Sequence, residues 1–202
     1  MPRGRPRKSN PDAVLDAVMM TFWENGYGNT SMNDLAARSG MAKPGLYANF
    51  GDKDALFEQA VQNYLNKVTA PMLTRLRGNK ESLHDALAGF LLRVTASATN
   101  ATGPKGCFVA ACLLESAHMS ERLRDFSKSI NEQRTQAFQQ RLDEASCHEL
   151  PPHIDRQALA EFFTGQFIAL TAMARAGHSQ ATLQGIVATA LTVLPRPGDS
   201  SG

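Results

Sequence analysis

The stretch that most constrains this chain runs from Thr30 to Phe50. It predicts two short helices joined by a tight turn. Ser31 is placed to cap the first, with Asp34 three residues on, where a capping box puts its acidic residue. Gly40 supplies the left-handed residue that a sharp turn needs. Ala36 is small enough to let a second helix cross close over the first, and Leu46 is the apolar side chain that closes the corner. A small residue, glycine four later and an apolar residue six after that is helix-turn-helix spacing. Any helical hairpin with a glycine turn shares this spacing, so the flanking residues decide.

Downstream the chain reads Leu46-Tyr47-x-x-Phe50-x-x-Lys53-x-x-Leu56-Phe57, and upstream Phe22-x-x-x-Gly26-Tyr27-x-x-Thr30-Ser31. Together these closely resemble the DNA-binding domain of TetR-family transcriptional regulators over residues 11 to 58. The resemblance implies an all-α protein of about nine helices. A three-helix helix-turn-helix domain would be followed by a helical ligand-binding and dimerisation domain. One departure stands out. Ala42 lies where many members carry Ser or Thr as the cap of the second, recognition helix, and losing such a cap costs about 1 kcal/mol. Pro44, tolerated in a first helical turn, stiffens the start and partly offsets this. A shortened or less regular start to that helix is expected.

Composition narrows the rest. At 202 residues and 43% hydrophobic the chain can bury a real core. Its net charge is only +2, so any nucleic-acid surface must be local. No apolar run follows the basic start and none approaches the length of a membrane span, so neither a signal peptide nor a membrane helix is expected. Cys107, Cys112 and Cys147 are an odd number without a disulfide framework, which points to a reducing cytoplasm. The histidines are scattered, and no nucleophile motif or phosphate-cradling glycine loop occurs, so neither catalysis nor a cofactor is expected. Cys147-His148 and His153 match no dense zinc spacing.

Along the chain, residues 1–9 are basic and rich in Pro and Gly, and are expected to be a disordered tail. Pro2-Arg3-Gly4-Arg5-Pro6 looks like an AT-hook core. Arg3 and Arg5 would enter a narrow A·T-rich minor groove, or the tail attracts phosphates without reading sequence. Asn10-Pro11 starts a helix that Asn25-Gly26 ends, and residues 10–58 form the DNA-binding domain. Residues 59–194 form the second domain. A long helix follows Gly51, with Pro71 expected to kink or interrupt it and Arg77-Gly78-Asn79 a turn. Further helices are read from Leu83, from Lys105 to Leu114 (buried nearly all round), from Ser120 to Ala145, from Asp155 to Ala176 and from Ser179 to Leu194. The last two carry Leu159, Phe162, Phe163, Phe167, Leu170 and Met173, then Leu183, Ile186, Val187, Leu191 and Leu194. Such apolar faces either finish the core or form a subunit interface. In TetR-like proteins the last two helices pair with their symmetry mates, so the resemblance implies a homodimer through them. Residues 195–202 are a second tail.

Candidate DNA contacts follow. Lys43, Pro44 and Gly45 open the recognition helix nearest the base edges, with Gly45 allowing close backbone approach. Tyr47, Thr30 and Ser31 carry hydroxyls that can donate to phosphates, and Lys53 lies at the start of the next helix. The partner is a near-palindromic double-stranded operator. The resemblance also implies a cavity for an unidentified small-molecule effector. Its candidate lining is Phe90, Val94, Phe108, Cys112, Glu115, His118, Phe138, Phe163, Gln166 and Phe167, the aromatics being equally compatible with plain core. Glu115 and His118 are read three apart on one helix face. Cys107, after Lys105 and Gly106 at a helix N-terminus, is a candidate thiol sensor or a small buried hydrophobe. The sequence therefore reads as a ligand-responsive regulator, a repressor by the commoner family mode. The alternatives are the same fold without a ligand, acting through partners or its tail, and a redox or electrophile sensor through Cys107.

Overall fold

The computed structural model describes residues 10–77 and 81–195. The basic tail with Arg3 and Arg5, Gly78-Asn79 of the expected turn and the end beyond Pro195 lie outside the described residues. All regular structure among the described residues is helical. The elements are α1 (Pro11–Asn25), α2 (Met32–Ser39), α3 (Lys43–Phe50), α4 (Lys53–Tyr64), a π-helical turn (Leu65–Thr69), α5 (Ala70–Arg77), α6 (Leu83–Ala98), α7 (Phe108–Ser116), α8 (Glu121–Asp143), α9 (Arg156–Arg175) and α10 (Gln180–Leu191). With α4, the π turn and α5 counted as one rod, nine rods are described.

Local chemistry sets the helix starts. Asn10 caps α1 through Asp12 N, with Pro11 at the first position. Ser31 and Asp34 form a reciprocal capping box on α2. Gly40 ends α2 with φ 68° and ψ 8°, the left-handed conformation its place in the turn requires. Asp52, Ser82, Ser120, Asp155 and Ser179 cap α4, α6, α8, α9 and α10 in the same way.

Pro71 interrupts the regular α-helix as the sequence predicts, and the break takes the form of a π turn. It sits at the second position of α5, and the irregular turn comes just before it. Proline has no N–H to bond Lys67 O, and its ring crowds that carbonyl. The ladder slips into a π turn over residues 65–69 and the rod continues.

α1 packs on α2 and α4, and α2 on α3; α8 packs on α9, and α6 on α9 and α10. α7 joins the two groups, touching α1, α4, α8 and α9. An aromatic cluster fills this junction. Phe108 lies 5.9 Å from Trp23, 5.8 Å from Phe57 and 5.7 Å from Tyr64, ring to ring. Polar ties surround it. Asp54 accepts from Tyr27 Oη and from Ser120 Oγ at 2.8 Å, and Arg122 forks onto Glu58 at 2.7 and 2.8 Å. α4 also crosses residue 58 without a break. For many bulky residues of α9 and α10 the core reading holds, while Leu159, Phe162, Met173 and Ile186 are half-buried. Phe163, Phe167, Leu170, Leu183, Val187, Leu191 and Leu194 are buried within the chain itself. The exposed positions of α9 and α10 include a run of small residues, Gly165, Ala169, Ala172, Ala181, Gly185 and Ala188.

Candidate nucleic-acid interface and interior cavity

α3 buries Leu46 and Phe50 and turns Ala42, Lys43, Pro44, Tyr47, Ala48 and Asn49 outward. Tyr47 is 46% exposed, and no hydrogen bond or ion pair among the described residues engages Lys43. Ser31 is exposed, its hydroxyl shared with Asp34. The hydrogen bonds to Ser31 hold the Asp34 carboxyl below the usual range, so this cap stays ionised.

Three of the residues singled out from the sequence stand differently. Thr30 is 1% exposed and its hydroxyl donates to Gly26 O at 2.7 Å, so it braces the turn and does not face a phosphate. Gly45 lacks a side chain to make room for Met41, since a Cβ there would lie 3.1 Å from Met41 Cγ. Lys53 opens α4 as read, but its ammonium rests over the Tyr27 ring at 4.2 Å. Partial burial draws its pKa below the ordinary lysine value.

The missing cap of α3 has a local explanation. Ala42 makes no side-chain bond, and α3 starts with a tightened turn, Gly45 N and Leu46 N both donating to Ala42 O at 2.8 and 3.1 Å. A cap side chain would bond the N–H of the second or third helical residue. The second is Pro44, which has none, and the third is Gly45, already engaged. Ala42→Ser alone should therefore raise stability by only a few tenths of a kcal/mol. In a Pro44→Ala background the same change should contribute about 1 kcal/mol. A double-mutant cycle of urea unfolding checks this, and equal gains in both backgrounds would refute it.

The interior of the second domain holds a void of about 20 Å³, room for about one water. Of the expected lining, Phe90, Val94 and Phe167 border it, and so does Cys107. Tyr64, Thr69, Met72 and Thr171 join them. The other candidates fall elsewhere. Phe138 and Phe163 are plain core, with rings 6.0 Å apart. Phe108 belongs to the junction cluster. Cys112 does too: its Sγ lies 3.3 Å from Phe22 O, and burial pushes its thiol up to about 12. Gln166 is half-buried on α9 and borders no part of the void. Glu115 and His118 are not on one helix face, because α7 ends at Ser116; both are exposed, and the Glu115 carboxylate packs against Gly26.

Cys107 is the N-terminal flanking residue of α7, 6% exposed, in hydrogen-bond contact with the Tyr64 hydroxyl. Gly106 places it there: φ is 88°, and a Cβ would lie 3.0 Å from Thr171 O. Burial, and then Cys107, raise the Tyr64 hydroxyl far above an ordinary tyrosine, so it stays a neutral donor. Sequence reasoning missed Tyr64 and Thr69 as lining, and missed Arg134, which is buried beside them. Among the described residues no cluster of metal-binding side chains occurs, and no helix is long and apolar enough to cross a membrane.

Comparison with known proteins places this arrangement. Residues 14–60 match the family profile of bacterial regulatory proteins, tetR family, and residues 84–190 that of the tetracyclin repressor-like C-terminal domain. The chain is 32% identical over 194 residues to the HTH-type transcriptional repressor ComR of Escherichia coli (strain K12), covering 96% of this chain and 92% of that one. It is 26% identical over 176 residues to the repressor BdcR of the same strain, covering 87% and 84%. A solved structure of the TetR-family regulator CifR, a cysteine mutant with 26-bp double-strand operator DNA, superposes with a TM-score of 0.87 at 28% identity, covering 95% and 100%. The chain thus belongs to the TetR family of bacterial transcriptional regulators, with α2 and α3 as its helix-turn-helix.

Proposed function

We propose that this protein is a cytoplasmic homodimeric repressor. Its two α3 helices enter successive major grooves of a near-palindromic double-stranded operator, and a small molecule in the second domain releases it. The observation that carries the reading is the outward face of α3, where among the described residues no side-chain hydrogen bond or ion pair engages Lys43 or Tyr47, while Leu46 and Phe50 anchor the helix. The CifR structure, bound to operator DNA, supports it by likeness. Lys43 at the first helical position is the side chain best placed for base edges, with Tyr47 and Ser31 toward phosphates. Release follows from linkage: an effector that binds one arrangement of α4 better than another shifts the population between them. Tyr64 supports this route, since it lines the void and stands at the end of α4.

The test is selection of bound DNA from a random pool, followed by titration of the consensus. A palindromic consensus is expected. Lys43→Ala should weaken consensus binding by about 1–3 kcal/mol and relax sequence preference at one position per half-site, with little change on random DNA. Equal losses on both DNAs would demote Lys43 to a phosphate contact. No palindrome would remove the dimeric reading of the site.

A further inference from the structure

One deeply buried charge in the second domain has no ion-pair partner among the described residues. Arg134 of α8 is 4% exposed. Its guanidinium carbon lies 4.3 Å above the Phe167 ring, and Nη1 donates to Asn131 Oδ1 at 2.6 Å. The ionisable groups facing it are the Tyr64 hydroxyl and the Cys107 thiol. Among the described residues no carboxylate forms an ion pair with it. Burial pulls its pKa below the ordinary arginine value, yet a guanidinium stays charged at pH 7. The other buried arginine of α8, Arg141, has a carboxylate within reach of its charge: Nη2 donates to Glu81 O at 3.0 Å and Glu149 lies in its field. A buried cation without a counter-charge is costly to keep, even with a neutral hydrogen-bond acceptor and a ring beside it, and that cost needs a reason.

Arg134 opens onto a recess of about 170 Å³. Its polar lining is neutral: Gln62, Asn66, Thr69 and Gln133, with Leu73 and Ile130 beneath. The recess is smaller than the roughly 300–1,000 Å³ of sites for drug-sized ligands. Thr69 also borders the aromatic void of Phe90 and Phe167, so the two spaces meet at one residue. Three residues of the π turn, Leu65, Asn66 and Thr69, wall the recess. π turns recur at functional sites because the slipped ladder frees backbone groups and yields to a neighbour.

We infer that this recess takes a small organic anion, an apolar monocarboxylate whose head meets Arg134 and the amides while its body lies against Leu65, Leu73 and Ile130. The inference rests on the effector-responsive reading above and gives that effector a chemical class. The carboxylate supplies the missing counter-charge, and the neutral amides leave it no repelling acid. An occupied recess presses on the π turn, in the same rod as α4, which packs on α1 and α3. Occupancy is thereby felt at the helix-turn-helix.

The full-length protein is titrated with sodium benzoate and sodium butyrate, and with benzamide as a neutral molecule of the same shape, by calorimetry and thermal shift. Operator binding is followed in parallel by anisotropy. Benzoate should bind about tenfold or more tighter than benzamide, the margin of one charge-assisted hydrogen-bonded contact. Arg134→Met should erase that margin without lowering the melting temperature of the free protein. Arg134→Lys should keep part of it, and Asn66→Trp, which fills the recess, should abolish it in a folded chain. Neither carboxylate binding, equal binding of benzoate and benzamide, or benzoate retained by Arg134→Met would overturn the inference. If benzoate binds through Arg134 and operator affinity is unchanged, the site stands and effector-controlled release falls. If operator release responds to another molecule in Arg134→Met as in the parent, release stands and the site falls.

Discussion

Ala169→Glu is expected to turn a dimer into a folded monomer that binds operator at least about a hundredfold more weakly. The argument starts from what α9 and α10 leave uncovered. Gly165, Ala169, Ala172 and Ala176 are exposed on α9, and Ala181, Gly185, Ala188 and Thr192 on α10 and its end. Each set has the spacing i, i+4, i+7, i+11, one face of a helix. A Cβ at Gly165 or Gly185 would meet nothing within 4 Å. Small side chains let helix axes approach closely, which suits the face to a second copy of itself. In an isolated chain Ala169 is a surface position, so the change should move stability by no more than about 0.5 kcal/mol. At a two-fold interface it places two carboxylates in a buried contact, each costing several kcal/mol, and every 1.4 kcal/mol is about tenfold in the dimer constant. A monomer then loses the second half-site and with it the effective concentration that linkage supplies. Sedimentation velocity, circular dichroism and operator titration together check the result. A dimer constant within about tenfold of the parent's would move the interface elsewhere, for instance to the polar groove between α8 and α9.

The parts of this molecule that were legible in the sequence are those set by short-range chemistry. Asn10-Pro11, the Ser31–Asp34 box, Gly40 and the corner Leu46 each act through residues within one or two turns. Burial periodicity likewise found the inward face of every long helix. Thr30 was misread because its partner is the Gly26 carbonyl of a turn whose course spacing does not reveal. The void was only partly legible for a related reason. Its walls come from α4, the π turn, α5, α6, the residues before α7, and α9, and a period says which residues are buried, not which of them border empty space. Arg134 did leave a signal. It continues the inward stripe of Leu123, Ser127, Ile130, Ala137 and Arg141 on α8, a charged residue at a core position. It passed unnoticed because α8 is densely charged and reads as a solvated face. The bulky residues of α9 and α10 fit core or interface equally by spacing; most of them are the chain's own core, and several exposed positions beside them are small.

Phe108→Ala tests whether the junction is one cooperative unit. The Phe108 ring is fully buried at the head of α7 and touches Trp23 of α1, Phe57 and Tyr64 of α4. Its removal should cost about 3–5 kcal/mol, since the surrounding rings come from two different helices, α1 and α4, and cannot all collapse into the gap. For a chain of this size that is about 2–4 °C of melting temperature per kcal/mol. The chain has a single tryptophan, Trp23, so intrinsic fluorescence reports this site alone while circular dichroism reports every helix. In the parent the two signals should unfold together. In Phe108→Ala the Trp23 transition should come first, because α1 loses its aromatic contact with α7 while α8 and α9 keep theirs. Phe163→Ala is the control: it removes an equally buried ring from the α8–α9 core and should lower both transitions together. If Phe108→Ala behaves as the control does, the two domains are coupled through the polar ties of Asp54 and Arg122, and the aromatic cluster is ordinary core. If the transitions separate, Phe108 is the contact through which a change at the Tyr64 end of α4 reaches α1. Operator affinity should then stay close to the parent's while its response to effector is lost.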